Sequence, residues 1–195
     1  YAAEPAVPAL AAALSDPDEV VVRRNVSAAL NQIGPGAAGV VEALAAALRD
    51  PDQEVCRNAA ATLDKIGPGA AGSVSDLEAA LSDQDVVIRR LAASVLGKIG
   101  PAAAASAPAL SEALRDPDSS VRETVADALG KIGPGAGYAA PALVAALSDS
   151  SVAVRVRAAA ALGGFGPAAK ISIPSVIKAL SDRERAVREV AAGTL

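Results

Sequence analysis

Few side chains in this sequence have the types and spacing that chemistry requires. The chain contains no histidine and a single cysteine, Cys56, so a Cys–His catalytic pair cannot form and thiolate–imidazole metal sites are excluded. Paired aspartates such as Asp116 and Asp118 recur along the chain. Because aspartates at helix starts accept hydrogen bonds from free N–H groups, we predict capping rather than acid–base catalysis for them. The sequence therefore predicts no catalytic residue, no metal and no cofactor.

The Gly-Pro-Gly segments, of which 34–36 is the first, do not match phosphate-binding loops. No Lys-Ser/Thr pair follows them, and proline lacks the N–H that a phosphate would need. They are instead part of a sequence repeat, because an apolar residue followed by Gly-Pro recurs every 33 residues. The apolar residues are Ile33, Ile66, Ile99, Ile132 and Phe165. A fixed period of this size predicts one small unit stacked on copies of itself.

Each unit is predicted to contain two helices joined by a turn. The turn carries an aspartate that recurs with the same period, at Asp16, Asp50, Asp83, Asp116, Asp149 and Asp182. Prolines such as Pro108 suit the first turn of the first helix, where a missing N–H costs little. The second helix has an apolar stripe, which in the fourth unit is Val121, Val125, Ala128, Leu129 and Ile132. Gly-Pro then ends the helix.

These units predict one domain over 1–195, built from about six helix pairs. The predicted repeats are 1–34, 35–67, 68–100, 101–133, 134–166 and a truncated 167–195. The first repeat has one extra residue near Val20, for which we expect a longer turn or a helix bulge. Neither end shows a polar capping unit. That absence is typical of a fragment of a longer solenoid or of an end that docks on another protein.

The pattern Leu-x-Asp-x-Asp-x-x-Val-Arg, seen at 114–122, and Leu-Gly-Lys-Ile-Gly, at 129–133, resemble HEAT repeats. The resemblance is strongest to the short repeats of phycobiliprotein lyase subunits, and it extends from about Glu4 to Leu195. It implies an all-α, right-handed α-solenoid. Deoxyhypusine hydroxylases, which are built on similar repeats, bind iron through His-Glu motifs that this sequence lacks. The resemblance is specific for fold and says little about function.

The resemblance also implies a row of aspartates and arginines, the Asp–Arg ladder, that ties the turns of adjacent repeats by charge-assisted hydrogen bonds. Its predicted pairs lie six residues apart and are Asp83/Arg89, Asp116/Arg122, Asp149/Arg155 and Asp182/Arg188. In the second repeat Cys56 stands where the other repeats have arginine. We therefore expect a local weak point at Cys56.

The residue after the ladder position changes character along the chain, from Arg24, Arg57 and Arg90 to Glu123. In HEAT repeats the second helices line the concave surface, so these residues are predicted to lie exposed on that ridge. Arg24, Arg57 and Arg90 form what we call the basic strip, which suits an acidic segment of a protein partner. Solvated faces also drift in charge without a binding role, and this alternative stays open.

Composition narrows the class of partner. The net charge is −4 and only 2% of residues are aromatic, so a basic groove with stacking platforms for nucleic acid is not predicted. The sequence predicts no membrane-spanning segment and shows no signal-peptide pattern. It does not indicate the cellular compartment. We predict a non-catalytic scaffold for protein partners, with a structural subunit of a larger assembly and a phycobilin lyase-like, chromophore-handling module as alternatives.

Overall fold

The computed structural model describes residues 7–195, with Val7 as backbone only. These residues fall into two compact units, unit 1 up to Ile99 and unit 2 from Gly100 to Leu195. Unit 1 contains six α-helices, which are α1 (Val7–Leu14), α2 (Val20–Ile33), α3 (Val41–Ala47), α4 (Gln53–Ile66), α5 (Val74–Ala80) and α6 (Val86–Ile99). Unit 2 also contains six, which are α7 (Ala107–Ala113), α8 (Ser119–Ile132), α9 (Ala140–Ala146), α10 (Val152–Gly164), α11 (Ile173–Ala179) and α12 (Arg185–Thr194). No strand occurs within 7–195, which confirms the all-α prediction of six helix pairs.

Local sequence explains where the second helix of each pair begins and ends. The carboxylate of Asp52 accepts hydrogen bonds from the N–H groups of Glu54 and Val55 at the start of α4, and Asp118 accepts from Ser120 at the start of α8. These helices end at glycines with positive φ, such as Gly67 at 64° and Gly133 at 77°. A side chain is strained in this region of φ, so glycine is the residue that fits there.

The Gly-Pro segments do more than end a helix. Each continues as a seven-residue 3-10 segment, and the five of them are Gly34–Val40, Gly67–Ser73, Gly100–Ser106, Gly133–Ala139 and Gly166–Ser172. Proline stands in the first turn of such segments, where its missing N–H leaves no bond unmade. The segments connect the long helix of one pair to the short helix of the next.

The extra residue of the first repeat lies in a turn. Helix α2 begins four residues after Asp16, whereas α4 begins three residues after Asp50. The two helices have the same length, 14 residues. The longer-turn alternative is therefore the one that the structure adopts.

The core of each unit consists of apolar stripes on the long helices. In unit 1, α2 packs on α4 and α4 on α6; in unit 2, α8 packs on α10 and α10 on α12. The predicted stripe of the fourth repeat is confirmed, because Val121, Val125, Ala128, Leu129 and Ile132 are all at most 1% exposed. Alanines within these stripes allow the helix backbones to approach closely.

Candidate functional site

The Asp–Arg ladder has the same geometry twice in unit 2. Arg122 donates from Nη1 to the carbonyl oxygen of Asp116 at 2.8 Å, and from Nε and Nη2 to the carboxylate of Asp149 at 2.7 and 2.8 Å. Arg155 does the same one repeat later, at 2.9 Å to the Asp149 carbonyl and at 2.9 and 3.1 Å to the Asp182 carboxylate. One guanidinium thus joins its own turn to the turn of the next repeat by a bidentate fork.

This geometry refines the predicted pairs. The aspartate six residues before each arginine contributes its backbone carbonyl, and the carboxylate comes from the aspartate 27 residues after it. Each of these aspartates has a second role, since Asp149 also accepts from the N–H of Ser151, and Asp182 from that of Glu184. The carboxylate therefore orders its own turn while it binds the preceding repeat.

Burial and charge strengthen these contacts. The side chains of Arg122 and Arg155 are 12% and 5% exposed, and those of Asp149 and Asp182 are 12% and 14% exposed. The hydrogen bond from Arg122 lowers the pKa of Asp149, and that from Arg155 lowers the pKa of Asp182. Both carboxylates are ionised at neutral pH, so their lone pairs are occupied by structural donors.

Unit 1 repeats the ladder with one interruption. Arg23 donates from Nε to Asp50 at 2.8 Å and from Nη1 to the Asp16 carbonyl at 2.8 Å. Arg89 donates to the Asp83 carbonyl at 2.8 Å, and in unit 2 Arg188 donates to the Asp182 carbonyl at 2.7 Å.

At Cys56 only half of the contact exists. Its thiol donates to the carbonyl oxygen of Asp50 at 3.0 Å, as the arginines do to their own turns, but it forms no hydrogen bond with the carboxylate of Asp83 in the next repeat. Burial, and secondarily the charge of Asp50, raise the pKa of the thiol to about 11. Cys56 is 1% exposed. A protonated, buried thiol does not suit a nucleophile.

The basic strip lies on the exposed face of α2, α4 and α6. The side chains of Arg24 and Arg57 are 45% and 55% exposed, and Arg90 is also exposed. Arg24 donates from Nε to Asp52 at 3.0 Å, and Arg57 pairs with Asp85. Each bond joins consecutive repeats, so unit 1 has a second, exposed row of Arg–Asp pairs beside the ladder.

Glu123, the predicted acidic residue of the ridge, lies in unit 2 near a cation. Its carboxylate is 3.6 Å from Nε of Arg157, and Nη1 of Arg157 is 3.2 Å from the carboxylate of Asp127. The side chain of Arg157 is 48% exposed. The exposed face of α8 and α10 therefore carries a mixed acidic and basic cluster rather than a basic strip.

Unit 2 has an exposed apolar pair that the sequence motifs do not indicate. Tyr138 and Ile171 are 74% and 80% exposed, and both line a groove of about 660 Å³ beside α9. The signal was present in the 33-residue register, where the equivalent residues are small. They are Gly39, Gly72 and Ala105.

Two features are absent from the described part of the chain. Within 7–195 there is no group of three or more Cys, Asp or Glu side chains arranged to hold a metal ion. None of the helices there is long and apolar enough to cross a membrane.

The family model of HEAT repeats matches residues 1–64, 74–140 and 140–195, so the chain belongs to the HEAT-repeat family. No curated protein matches it. Its solenoid fold class is confirmed by solved structures, among them the crystal structure of an engineered protein at 24% identity and TM-score 0.79. That match covers 97% of this chain and 94% of the other.

Two other solved structures are similar and have partners. A designed armadillo repeat protein in complex with the peptide (KR)4 is 17% identical with a TM-score of 0.76, over 96% of this chain and 97% of that chain. The complex of CpcE and CpcF of phycocyanin lyase from Nostoc sp. PCC7120 is 25% identical with a TM-score of 0.64, over 96% of this chain and 75% of that chain. The HEAT-repeat fold is typical of scaffolds that bind proteins or peptides.

Proposed function

We propose that this chain is a non-catalytic scaffold whose basic strip, Arg24, Arg57 and Arg90, binds an acidic segment of a protein partner. The observation that carries the proposal is the spacing of three exposed arginines at equivalent positions of consecutive repeats in unit 1. A helical repeat presents such residues at regular intervals along its surface, which suits an extended or helical segment with carboxylates at matching intervals.

The internal pairs of the strip leave donors for a partner. A guanidinium has five N–H groups, and Arg24 uses Nε and Nη2 on Asp52. The side chain of Arg90 forms no hydrogen bond or ion pair within residues 7–195. Asp52 and Asp85 hold the side chains of Arg24 and Arg57 in place. Binding a partner would therefore cost less conformational entropy at these two side chains. Arg24 and Arg57 are therefore oriented before a partner binds, whereas no such pair holds the side chain of Arg90.

The proposal is tested by charge reversal at all three arginines. The triple variant Arg24→Glu, Arg57→Glu and Arg90→Glu is compared with the intact chain in a pull-down from a lysate of the source organism, with helicity measured by circular dichroism. We expect the captured partner to be lost while helicity is kept. A milder triple variant to Gln guards against repulsion of the new glutamates by Asp52 and Asp85.

The matched control reverses three exposed cations of unit 2, Arg115, Lys170 and Arg185. It changes the net charge by the same amount, so non-specific electrostatics would weaken both variants equally. Full capture by the strip variants, or equal loss in the control, would contradict the proposal.

The second candidate function is a chromophore-handling module. It is favoured by the likeness to the complex of CpcE and CpcF of phycocyanin lyase, over 96% of this chain. The absorption spectrum of the same eluate separates the two candidates. Visible tetrapyrrole bands that follow the chain would support this function, and colourless co-purifying proteins would support the scaffold.

A further inference from the structure

A groove of about 630 Å³ lies between the turns of the fifth and sixth repeats, beside α9 and α11 in unit 2. We call it the basic groove. Its polar lining, apart from the ladder residues, consists of Ser148, Ser150, Ser175, Ser181, Lys178 and Arg183. It is separate from the basic strip, which lies on α2, α4 and α6.

The same groove exists between the first and second repeats of unit 1, with a volume of about 270 Å³. We call it the neutral groove. It has the same leucine, serine, aspartate and ladder arginine, which are Leu14, Ser15, Asp16 and Arg23. Where the basic groove has Ser175, Lys178 and Arg183, the neutral groove has Ala43, Ala46 and Pro51. The scaffold is shared, so the difference lies in the lining side chains.

The two cations are particular to the sixth repeat. In the 33-residue register, the position of Lys178 is occupied in the other repeats by Ala12, Ala46, Ala79, Glu112 and Ala145. The position of Arg183 is occupied by Pro17, Pro51, Gln84, Pro117 and Ser150. Since five repeats form the same turn without them, neither cation is needed for the fold.

The acidic residues of the basic groove are already neutralised. Asp149 and Asp182 are held by the bidentate forks of Arg122 and Arg155. Lys178 and Arg183 form no side-chain hydrogen bond or ion pair within residues 7–195, although the charge of Arg183 is close enough to help lower the pKa of Asp182. The side-chain hydroxyls of Ser148, Ser175 and Ser181 are likewise unbonded there. The groove thus offers two uncompensated positive charges and several hydroxyl donors.

We propose that the basic groove binds a phosphorylated serine or threonine side chain on a segment of a protein partner. The proposal rests on the scaffold function, since it names the chemistry of a partner. A phosphoryl group carries close to two negative charges and three acceptor oxygens, whereas a carboxylate carries one charge and two oxygens. Two cations with adjacent hydroxyl donors match the phosphoryl group more completely. The volume is within the range of pockets that enclose a small ligand.

The test uses the purified chain and a defined peptide, Ala-Ala-pSer-Ala-Ala, with binding followed by NMR shifts of the groove amides. The variant Lys178→Ala/Arg183→Ser gives the sixth repeat the residues of the fifth. We expect saturable binding by the intact chain and a loss of about tenfold or more in affinity in the variant, as removal of charge-assisted bonds predicts. The control Lys170→Ala/Arg185→Ala removes two cations of the same repeat outside the groove and should bind like the intact chain.

A gain-of-function variant sharpens the result. Ala43→Ser/Ala46→Lys/Pro51→Arg gives the neutral groove the two cations and the serine that it lacks at these positions, and we expect new shifts around α3 on addition of the phosphopeptide. Absence of saturable binding, or equal loss in the control, would overturn the proposal. Equal binding of Ala-Ala-Glu-Ala-Ala would overturn the phosphate requirement, and equal binding of inorganic phosphate alone would assign the groove to the free ion instead of a peptide. The basic strip is intact in all of these variants, so failure here is separate from failure of the scaffold proposal.

Discussion

Unit 1 and unit 2 use the same helix pairs but distribute their arginines differently. Unit 1 has two parallel rows, since Arg23 forks onto Asp50 inside the turn while its neighbour Arg24 bonds Asp52 at the surface. Unit 2 keeps the ladder, at Arg122 and Arg155, and replaces the second row by Glu123, Val156 and Glu189. The repeats thus share the ladder, which suggests that it maintains the stack, while the exposed position varies with the surface each unit presents.

Unit 1 and unit 2 also differ in net charge. Unit 1 has 13 acidic and 8 basic residues, and unit 2 has 9 acidic and 10 basic residues. The basic strip therefore lies on an acidic unit, partly balanced by Asp52 and Asp85, and the basic groove lies on a nearly neutral one. Local placement of cations, rather than total charge, distinguishes the candidate binding surfaces.

The largest expected effect is the loss of a ladder arginine. Arg155→Ala leaves Asp182 as a largely buried carboxylate without its fork, and it also removes a donor from the Asp149 carbonyl. We expect the free energy of unfolding to fall by about 2–3 kcal/mol in chemical denaturation. The control Arg157→Ala removes an exposed cation two residues away and should cost less than about 1 kcal/mol. Similar losses in the two variants would show that burial does not separate these arginines.

The second largest effect is expected at Cys56, where an arginine should increase stability. Cys56→Arg should restore a fork onto Asp83 and raise the free energy of unfolding by about 1 kcal/mol. In the background Asp83→Asn the same substitution should gain less, because the charged acceptor is gone. The measurement is again chemical denaturation of the four variants. No gain in either background would remove the support for an inter-repeat role of the arginine.

A smaller effect is expected in the exposed row of unit 1. The hydrogen bond from Arg24 lowers the pKa of Asp52 to about 2. Since this folded pKa lies below the unfolded value near 4, the stabilisation is complete above pH of about 4 and is lost as pH falls through about 2. In Arg24→Ala the pKa of Asp52 should rise toward its ordinary value, as carboxyl NMR titration would measure. An unchanged pKa would mean that the helix N–H groups alone depress it.

The smallest effect concerns reactivity rather than stability. Because the pKa of the Cys56 thiol is about 11 and the side chain is buried, the folded chain should react with a disulfide reagent at pH 8 far more slowly than the chain in denaturant. The ratio of the two labelling rates measures the protection. Equal rates would contradict the buried thiol hydrogen bond to Asp50.

The elements could be predicted from sequence because their signals are local. The stripe from Val121 to Ile132, the cap at Asp118 and the glycine at Gly133 each depend on neighbours within one helix. Gly-Pro predicts the end of a helix but does not predict the 3-10 segment that follows it. A run that begins with Gly-Pro and is rich in alanine carries no strong signal between a loop and a 3-10 helix.

The sequence predicts the residues that make the contacts between repeats, but it does not predict which of them pair. The arginines and aspartates of the ladder were found, but six-residue spacing led to the aspartate of the same turn, whereas the fork reaches the carboxylate 27 residues away. That choice depends on how the helices of consecutive repeats pack, which no local pattern encodes. For the same reason the sequence predicts Arg24 as exposed but does not predict its bond to Asp52.

The most direct test of the account is a pair of double-mutant cycles, one on the buried pair Arg155 and Asp182 and one on the exposed pair Arg24 and Asp52. Denaturation of the single and double alanine variants gives the coupling energy of each pair. We expect a coupling above about 1.5 kcal/mol for the buried pair and of about 1 kcal/mol or less for the exposed pair, whose charges solvent screens. Equal couplings, or a stronger exposed pair, would contradict the division between an arginine row that holds the repeats together and one that is left for a partner.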